Sequence, residues 1–414
     1  MPKIVVTDTD FEDNAIEIEM AKEAGVELAL YNDRSAEAII RHAQDADGVV
    51  TSYGDYSARV FEALPHLKVV SRTGIGYDNI DAQAATKNGT AVCIVPGYGT
   101  EVVSDHAITL ALACLRRLNE CDADMRAGVW DYTRRRPFGQ VFGRVFGVVG
   151  MGEIGRAVAR KAAGLGFRVI CYSRSLVPGR RTPEGYEIGT LEDVLKQADV
   201  VSFHTALTSE THHLLNADNM RLMKSGAVVV NTSRGAVIDT VALAAALRED
   251  RLWGAGIDVF EEEPLDWNHP IMKAPHTVLS PHVAYYSEES GEELHRRSMQ
   301  AALDVVLGRM PKDCLNPEVL SSKQCFLDQN SSDQNSLVQN DSVQSNSGHL
   351  NTDRSDLNQP DSNKSGIDQA DSDKPTEYAI RAGASEGSEW AVLARGVKGF
   401  VLAKEVRGRF SRGK

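Results

Sequence analysis

Three fragments in the second half of the chain each set a polar residue just beyond an apolar, strand-like run. They are Val230-Asn-Thr-Ser-Arg234, Asp258-Val-Phe-Glu-Glu-Glu263 and Leu279-Ser-Pro-His282. Ligands of open parallel sheets bind outside the C-terminal ends of the strands, so such positions converge. A guanidinium, a carboxylate and an imidazole meeting there can bind an anion and move a proton. Singly, each is a commonplace loop-end residue. Their weight comes from the residues that precede them. Val145-Phe-Gly-Val-Val149 runs directly into Gly150-Met151-Gly152-Glu153-Ile154-Gly155, and a helical pattern follows. In that setting Gly150 permits a tight turn, Gly152 lets backbone approach a pyrophosphate, and Gly155 lets helix pack on strand. The helix N-terminus then offers unpaired N–H groups to phosphate.

The end of the next strand bears on which dinucleotide is held. A carboxylate there normally takes the ribose 2′-hydroxyl of NAD. This chain reads Cys171-Tyr172-Ser173-Arg174-Ser175, with Ser173 at the expected acidic position, and Arg180 and Arg181 nearby. A hydroxyl beside a guanidinium suits a 2′-phosphate, so NADP(H) is favoured over NAD(H).

These residues need parallel sheets behind them. Short apolar runs at Ile4–Thr7, Leu28–Tyr31, Gly48–Thr51, Val69–Arg72 and Ala91–Ile94 alternate with helical patterns, implying a sheet covered on both faces. A long helix is expected over Asp105–Leu118. A second series then offers six strands: Val145–Val149, Arg168–Tyr172, Val200–Phe203, Ala227–Asn231, Ala255–Val259 and Val278–Ser280. With helices such as Asp239–Leu247 between them, this is a doubly wound α/β pattern. A last helix runs to about Gly308, and the folded region should end near Leu320. Residues 321–376 are Ser, Asn, Asp and Gln with almost nothing large and apolar, a composition expected to stay disordered. Residues 377–414 form a short basic segment too small for its own core.

The bulk composition narrows the class further. A net charge of −13 argues against nucleic acid or an anionic membrane as partner. No apolar run approaches the roughly 18 residues that suggest a span, and the N-terminus lacks a signal-peptide pattern. The six cysteines show no metal-ligand spacing, and Cys93, Cys114 and Cys171 sit in apolar runs. A cytoplasmic protein with no metal is the expectation.

Residues 1–320 resemble the D-isomer-specific 2-hydroxyacid dehydrogenase family. Besides the three fragments above, Arg72-Thr-Gly74-Ile75-Gly76-Tyr-Asp78-Asn79-Ile-Asp81 is similar to its substrate-carboxylate loop. Val200-Ser-Phe-His204-Thr205-Ala-Leu-Thr-Ser-Glu-Thr211 is similar to its cofactor-contacting loop. Asn316-Pro317 and the run from His282 to Ser290 are most similar to the C-terminal-binding-protein branch, which usually has Trp at the place of Tyr285.

The resemblance implies an oxidoreductase that reduces a small 2-oxo acid with NAD(P)H, or the reverse. Arg234 would bind the substrate carboxylate and polarise the oxo group, and His282 would exchange the proton. Glu263 would orient the imidazole and favour its protonated form. Arg72, the backbone N–H groups of Gly74 and Ile75, and Tyr285 would complete the substrate site. His204, Thr205, Thr211, Thr232, Ser233, Asp258 and Ala284 would join the glycine fingerprint around the cofactor, Asp258 near its carboxamide. Tyr53, Tyr77 and Tyr98 would line the cleft. The resemblance further implies two Rossmann-like or flavodoxin-like parallel-sheet domains with the active site in the cleft between them. The cofactor domain, 100–284, would be inserted into a substrate domain of 1–99 and 285–320. The helix at 105–118 and the arm at Trp130–Gln140 resemble a dimer-forming segment, so a homodimer is implied. The competing reading is a cofactor-sensing, peptide-binding transcriptional partner.

Overall fold

The computed structural model describes residues 1–11 and 13–321. The first sheet has five parallel strands: β1 (Lys3–Val6), β2 (Glu27–Leu30), β3 (Gly48–Thr51), β4 (Val69–Arg72) and β5 (Ala91–Cys93), in the order β2-β1-β3-β4-β5. Helices α1 (Ala15–Ala24), α2 (Ala36–His42), α3 (Ala58–Ala63) and α4 (Ala82–Asn88) connect them. Side chains of a strand alternate between faces, and both faces here are covered. Val5, Val49, Val70 and Val92 pack under Ile39, Val60, Phe61 and Ala85 of α2–α4.

Beyond β5 come α5 (Thr100–Leu115) and α6 (Leu118–Arg126), then a seven-stranded parallel sheet. Its strands are β6 (Val145–Val149), β7 (Arg168–Tyr172), β8 (Glu187–Ile188), β9 (Val200–Phe203), β10 (Val228–Asn231), β11 (Gly254–Ile257) and β12 (Thr277–Leu279). They lie in the order β12-β11-β10-β9-β6-β7-β8. Their helices are α7 (Glu153–Gly164), α8 (Leu191–Gln197), α9 (Ala217–Met220) and α10 (Thr240–Arg248). On β6, Phe146 and Val148 face the α5–α7 side, while Val145 and Val149 face the α8–α10 side. The chain then returns as α11 (Glu288–Val306), whose Met299, Leu303 and Val306 pack on Ile4, Val50 and Val69 of the first sheet, on the α1 side.

The order reverses between β6 and β9, which makes their C-terminal ends a binding crevice. Two expectations need correcting. The helix expected over 105–118 starts at Thr100 and stops at Leu115, because Arg117 adopts φ +49 and α6 restarts in a new direction. The Arg117 guanidinium lies 4.3 Å over the Trp253 ring and bonds Glu120, interactions that hold the break. The second sheet has seven strands rather than six, since the two-residue β8 was too short to show a period. The tail readings for 322–414 lie outside the described residues.

Candidate active site

A cavity of about 410 Å³ opens at the strand C-termini of both sheets. From the first sheet it receives Tyr53, Arg72, Thr73, Ile75, Gly76, Tyr77 and Tyr98. From the second it receives Ile154, His204, Thr205, Thr232, Ser233, Arg234, Asp258, His282 and Ala284, with Tyr285 following.

His282 sits on the loop after β12 with φ +52, a conformation uncommon outside glycine. What holds it is Asp258, at the end of β11. The Asp258 carbonyl accepts the His282 N–H at 2.7 Å. Its buried carboxylate accepts the Ser280 hydroxyl at 2.5 Å and the Val283 and Ala284 N–H groups at 3.0 Å each. His106 of α5 braces the same Ser280 at 2.9 Å. Asp258 thus fastens the histidine loop, a role beyond the carboxamide contact expected of it. Glu263 lies in an adjoining recess with Arg234 and His282. Its Oε2 stands 2.6 Å from His282 Nδ1, and its Oε1 accepts the Phe260 N–H at 2.9 Å. Burial pushes the Glu263 carboxyl up, but His282, the Phe260 N–H and Arg234 outweigh it, so its pKa is net lowered. The carboxylate faces one ring nitrogen, so the other is left for the cavity.

Arg234 reaches across from β10. Its Nε donates to Asp78 Oδ1 at 2.9 Å, and one terminal nitrogen donates to the Ser233 carbonyl at 2.9 Å. The guanidinium rests against Gly76, where a Cβ would come within 1.3 Å of Nη2. Arg72 is buried in the same wall, donating to the Thr73 carbonyl at 2.8 Å with Nε unpartnered. The expected pair of backbone donors is halved. The Gly74 N–H is bonded to the Arg72 carbonyl at 2.9 Å and Gly74 is absent from the cavity wall, because its φ of +152 turns it aside. Ile75 remains on the wall.

The dinucleotide side follows the glycine fingerprint. Gly150 has φ +99 and a Cβ there would strike the His204 carbonyl at 2.4 Å; at Gly155 it would strike the Gly150 carbonyl at 1.9 Å. At Gly152, the N-cap of α7, a Cβ would meet nothing, so space stands open before the helix N-terminus. Met151 is core, Glu153 opens α7, and only Ile154 of this run lines the cavity. His204 Nδ1, Thr205 Oγ1 and Thr232 Oγ1 are buried without partners on that wall. Burial pushes the His204 pKa down to about 3, so its ring is neutral. Unpartnered polar atoms beside an open helix N-terminus fit a bound dinucleotide. Three further residues expected at the cofactor lie off the cavity wall. Thr211 donates to the Ala206 carbonyl at 2.6 Å and accepts the Thr208 N–H at 2.7 Å, bracing the loop without lining the cavity. Ser173 and Arg174 lie outside the cavity wall, and Arg174 is paired with Glu210 at the surface.

At the far end, the Tyr285 hydroxyl donates to Asp10 Oδ2 at 2.5 Å, and Tyr53 and Tyr285 stand edge-on to His282 at 6.2 and 6.0 Å. Burial pushes both phenols up, Tyr53 to about 12. Asp10, Asp78 and His106 carried no role in the sequence reading. Asp10, just past β1, could have been found by the strand-end rule; Asp78 lay inside the glycine-rich loop already singled out. His106 sits mid-helix, with no local signal.

The class that this arrangement defines is a nicotinamide-dependent dehydrogenase. A family model described as D-isomer specific 2-hydroxyacid dehydrogenase, NAD binding domain, matches residues 108–284. A glyoxylate reductase of Korarchaeum cryptofilum is 40% identical over 301 residues, 71% of this chain and 91% of that protein. Two solved structures share the fold. A glyoxylate reductase from Paecilomyes thermophila has TM-score 0.69 at 28% identity, covering 77% of this chain and 99% of that one. The D-lactate dehydrogenase of Aquifex aeolicus, complexed with NAD and lactic acid, has TM-score 0.67 at 25% identity, covering 76% and 99%. The chain belongs to the D-isomer specific 2-hydroxyacid dehydrogenase family. Its reaction is the nicotinamide-dependent interconversion of a 2-oxo acid and a 2-hydroxy acid, and the transcriptional alternative is not favoured.

Proposed function

We propose that the protein reduces a small 2-oxo acid such as glyoxylate, with Arg234 and His282 as the catalytic residues and Glu263 as the positioning residue. The observation that carries this is the His282–Glu263 pair facing the same cavity as the Arg234 guanidinium. Arg234 binds the substrate carboxylate and polarises the oxo group, and Ile75 and Arg72 close the carboxylate site. His282 passes a proton to the developing alkoxide, while Glu263 stabilises the charged ring. The α7 N-terminus with Thr205 and Thr232 would hold the nicotinamide cofactor, which when bound would supply the hydride.

The finer assignments rest on particular residues. NADP(H) is favoured because Ser173-Arg174 follow β7 with no acid there, and an exposed pair such as Arg174–Glu210 is weak enough to exchange for a 2′-phosphate. A homodimer is favoured because Leu118, Met125, Trp130, Tyr132 and Phe142 are exposed within one segment. A cytoplasmic location is supported by the free thiols among the described residues. The residue ranges 1–99 with 285–320 and 100–284 serve as the substrate and cofactor domains.

The test is oxidation of NADPH and of NADH followed at 340 nm with glyoxylate, hydroxypyruvate and bulkier 2-oxo acids. His282→Ala should lower kcat by roughly 10²–10⁴-fold, and Arg234→Ala should lower kcat/KM by on the order of 10²-fold or more. Arg174→Ala should raise KM for NADPH by about tenfold or more and leave NADH unchanged. Tight cofactor binding with no turnover on any acid would overturn the assignment.

A further inference from the structure

Cys93 ends β5, the edge strand of the first sheet, and the chain returns to that edge beyond α11. There Cys314 lies opposite Cys93 in an antiparallel bridge. Two backbone bonds bracket the pair: the Ile94 N–H donates to the Asp313 carbonyl at 3.2 Å, and the Leu315 N–H to the Val92 carbonyl at 2.8 Å. The two cysteines exchange no backbone bond with each other. This is the antiparallel position at which opposed Cα atoms approach to about 4.5 Å, with both side chains on one face. A disulfide needs Cα atoms about 4.4–6.8 Å apart. The returning segment is also pinned on either side. Asn316 accepts the Val92 N–H at 2.8 Å and donates to the Thr90 carbonyl at 2.9 Å, and Arg297 holds Asp313 at 2.9 Å.

The two thiols differ in character. Cys93 is fully buried in the core between the sheet and α11, whereas Cys314 is partly exposed. The Cys93 thiol donates towards Cys314 and draws its pKa down to about 7, while Cys93 itself is pushed up. Cys314, the more exposed of the two, is the one that meets an oxidant first, and Cys93 is the thiol held beside it. Neither residue lines the cavity that holds Arg234 and His282.

We propose that Cys93 and Cys314 are an oxidation site that closes to a reversible disulfide with a hydroperoxide as oxidant. The Cys314 thiolate attacks the terminal peroxide oxygen; an S–O bond forms, the O–O bond breaks, and the alcohol or water leaves with a proton. Cys93 then attacks the sulfenic sulfur; the S–S bond forms, the S–O bond breaks, and water leaves with the Cys93 proton. In total two thiols and one hydroperoxide give one disulfide, one alcohol (or water) and one water. A dithiol reverses it by exchange. The bond fastens the C-terminal return to the edge strand and closes a loop that contains the whole second sheet, which restricts the unfolded chain.

The full-length protein, reduced with dithiothreitol, is treated with equimolar hydrogen peroxide, alkylated, digested and mapped by mass spectrometry without reduction. The expected result is a Cys93 peptide joined to a Cys314 peptide, two hydrogens lighter than the free pair, and a melting temperature several degrees higher that dithiothreitol restores. Oxidation should quicken as pH rises through about 7. In Cys93→Ser, Cys314 should stall as a sulfenic acid that dimedone labels. Linkage of Cys314 to Cys325 or another cysteine, over-oxidation of Cys314 with Cys93 still free, or no linkage at all would overturn the proposal.

Discussion

At the residue scale, the pairing of His282 with Glu263 explains why this carboxylate cannot be replaced by its amide without cost. The anion faces an imidazole nitrogen at 2.6 Å and is held in place by the Phe260 N–H. A glutamine keeps the shape but removes the charge that favours the protonated ring. Glu263→Gln should therefore lower kcat/KM by on the order of tenfold to a hundredfold. Steady-state rates with a saturating cofactor would show the loss. The wild-type dependence at low pH has a defined sign. Because the Glu263 pKa is lowered on folding, its contribution to stability is present above the ordinary carboxyl value of 4.5 and is lost as pH falls through the lowered one. Gly76 makes a second point at this scale. Gly76→Ala would put a methyl where the Arg234 guanidinium lies, so kcat/KM should fall nearly as far as in Arg234→Ala, with the cofactor Kd unchanged.

At the element scale, the loop from Ser280 to Ala284 is held by one carboxylate. Asp258 accepts three hydrogen bonds from it and is fully buried at the end of β11. Asp258→Asn turns one acceptor oxygen into an NH₂ group, which leaves at least one loop N–H or hydroxyl facing a donor. Such a loss should cost about 1–3 kcal/mol, read as a lower melting temperature, and kcat should fall because His282 is no longer fixed. Unchanged melting temperature and kcat would show that the loop holds itself. The left-handed Arg117 acts similarly at the α5–α6 junction, where its guanidinium is held by Trp253 and Glu120.

At the scale of the whole molecule, Arg234 and Asp78 join the loops of two different sheets across the cavity. In the proposed reading a substrate carboxylate would compete with Asp78 for the same guanidinium, which would couple binding to the arrangement of the two halves. Trp130 and Phe142 are 87% and 74% accessible, and the dimer proposed above would give them a cover. If a second copy supplies it, Trp130→Ser with Phe142→Ser should convert a dimer to a monomer in light scattering. A wild-type protein that is already monomeric would remove the dimer from the functional reading.

Much of this architecture was legible in local pattern. The apolar runs at β1, β3, β4, β6 and β9 coincide with strands to within a residue, because a strand buried on both faces must be apolar throughout. The glycine fingerprint was legible because backbone collisions at Gly150 and Gly155 leave no alternative residue. Arg234, Glu263 and His282 could be singled out because strand ends are where a parallel sheet exposes side chains to a ligand. What long-range packing decided was not written locally. The Asp10–Tyr285 and His106–Ser280 bonds join residues far apart in the chain, so no spacing betrays them. The break at Arg117 depends on Trp253, and the orientation of Gly74 on the carbonyl of Arg72. Periodicity reports which face of an element is buried; which distant side chain meets it is settled only when the sheets and helices are brought together.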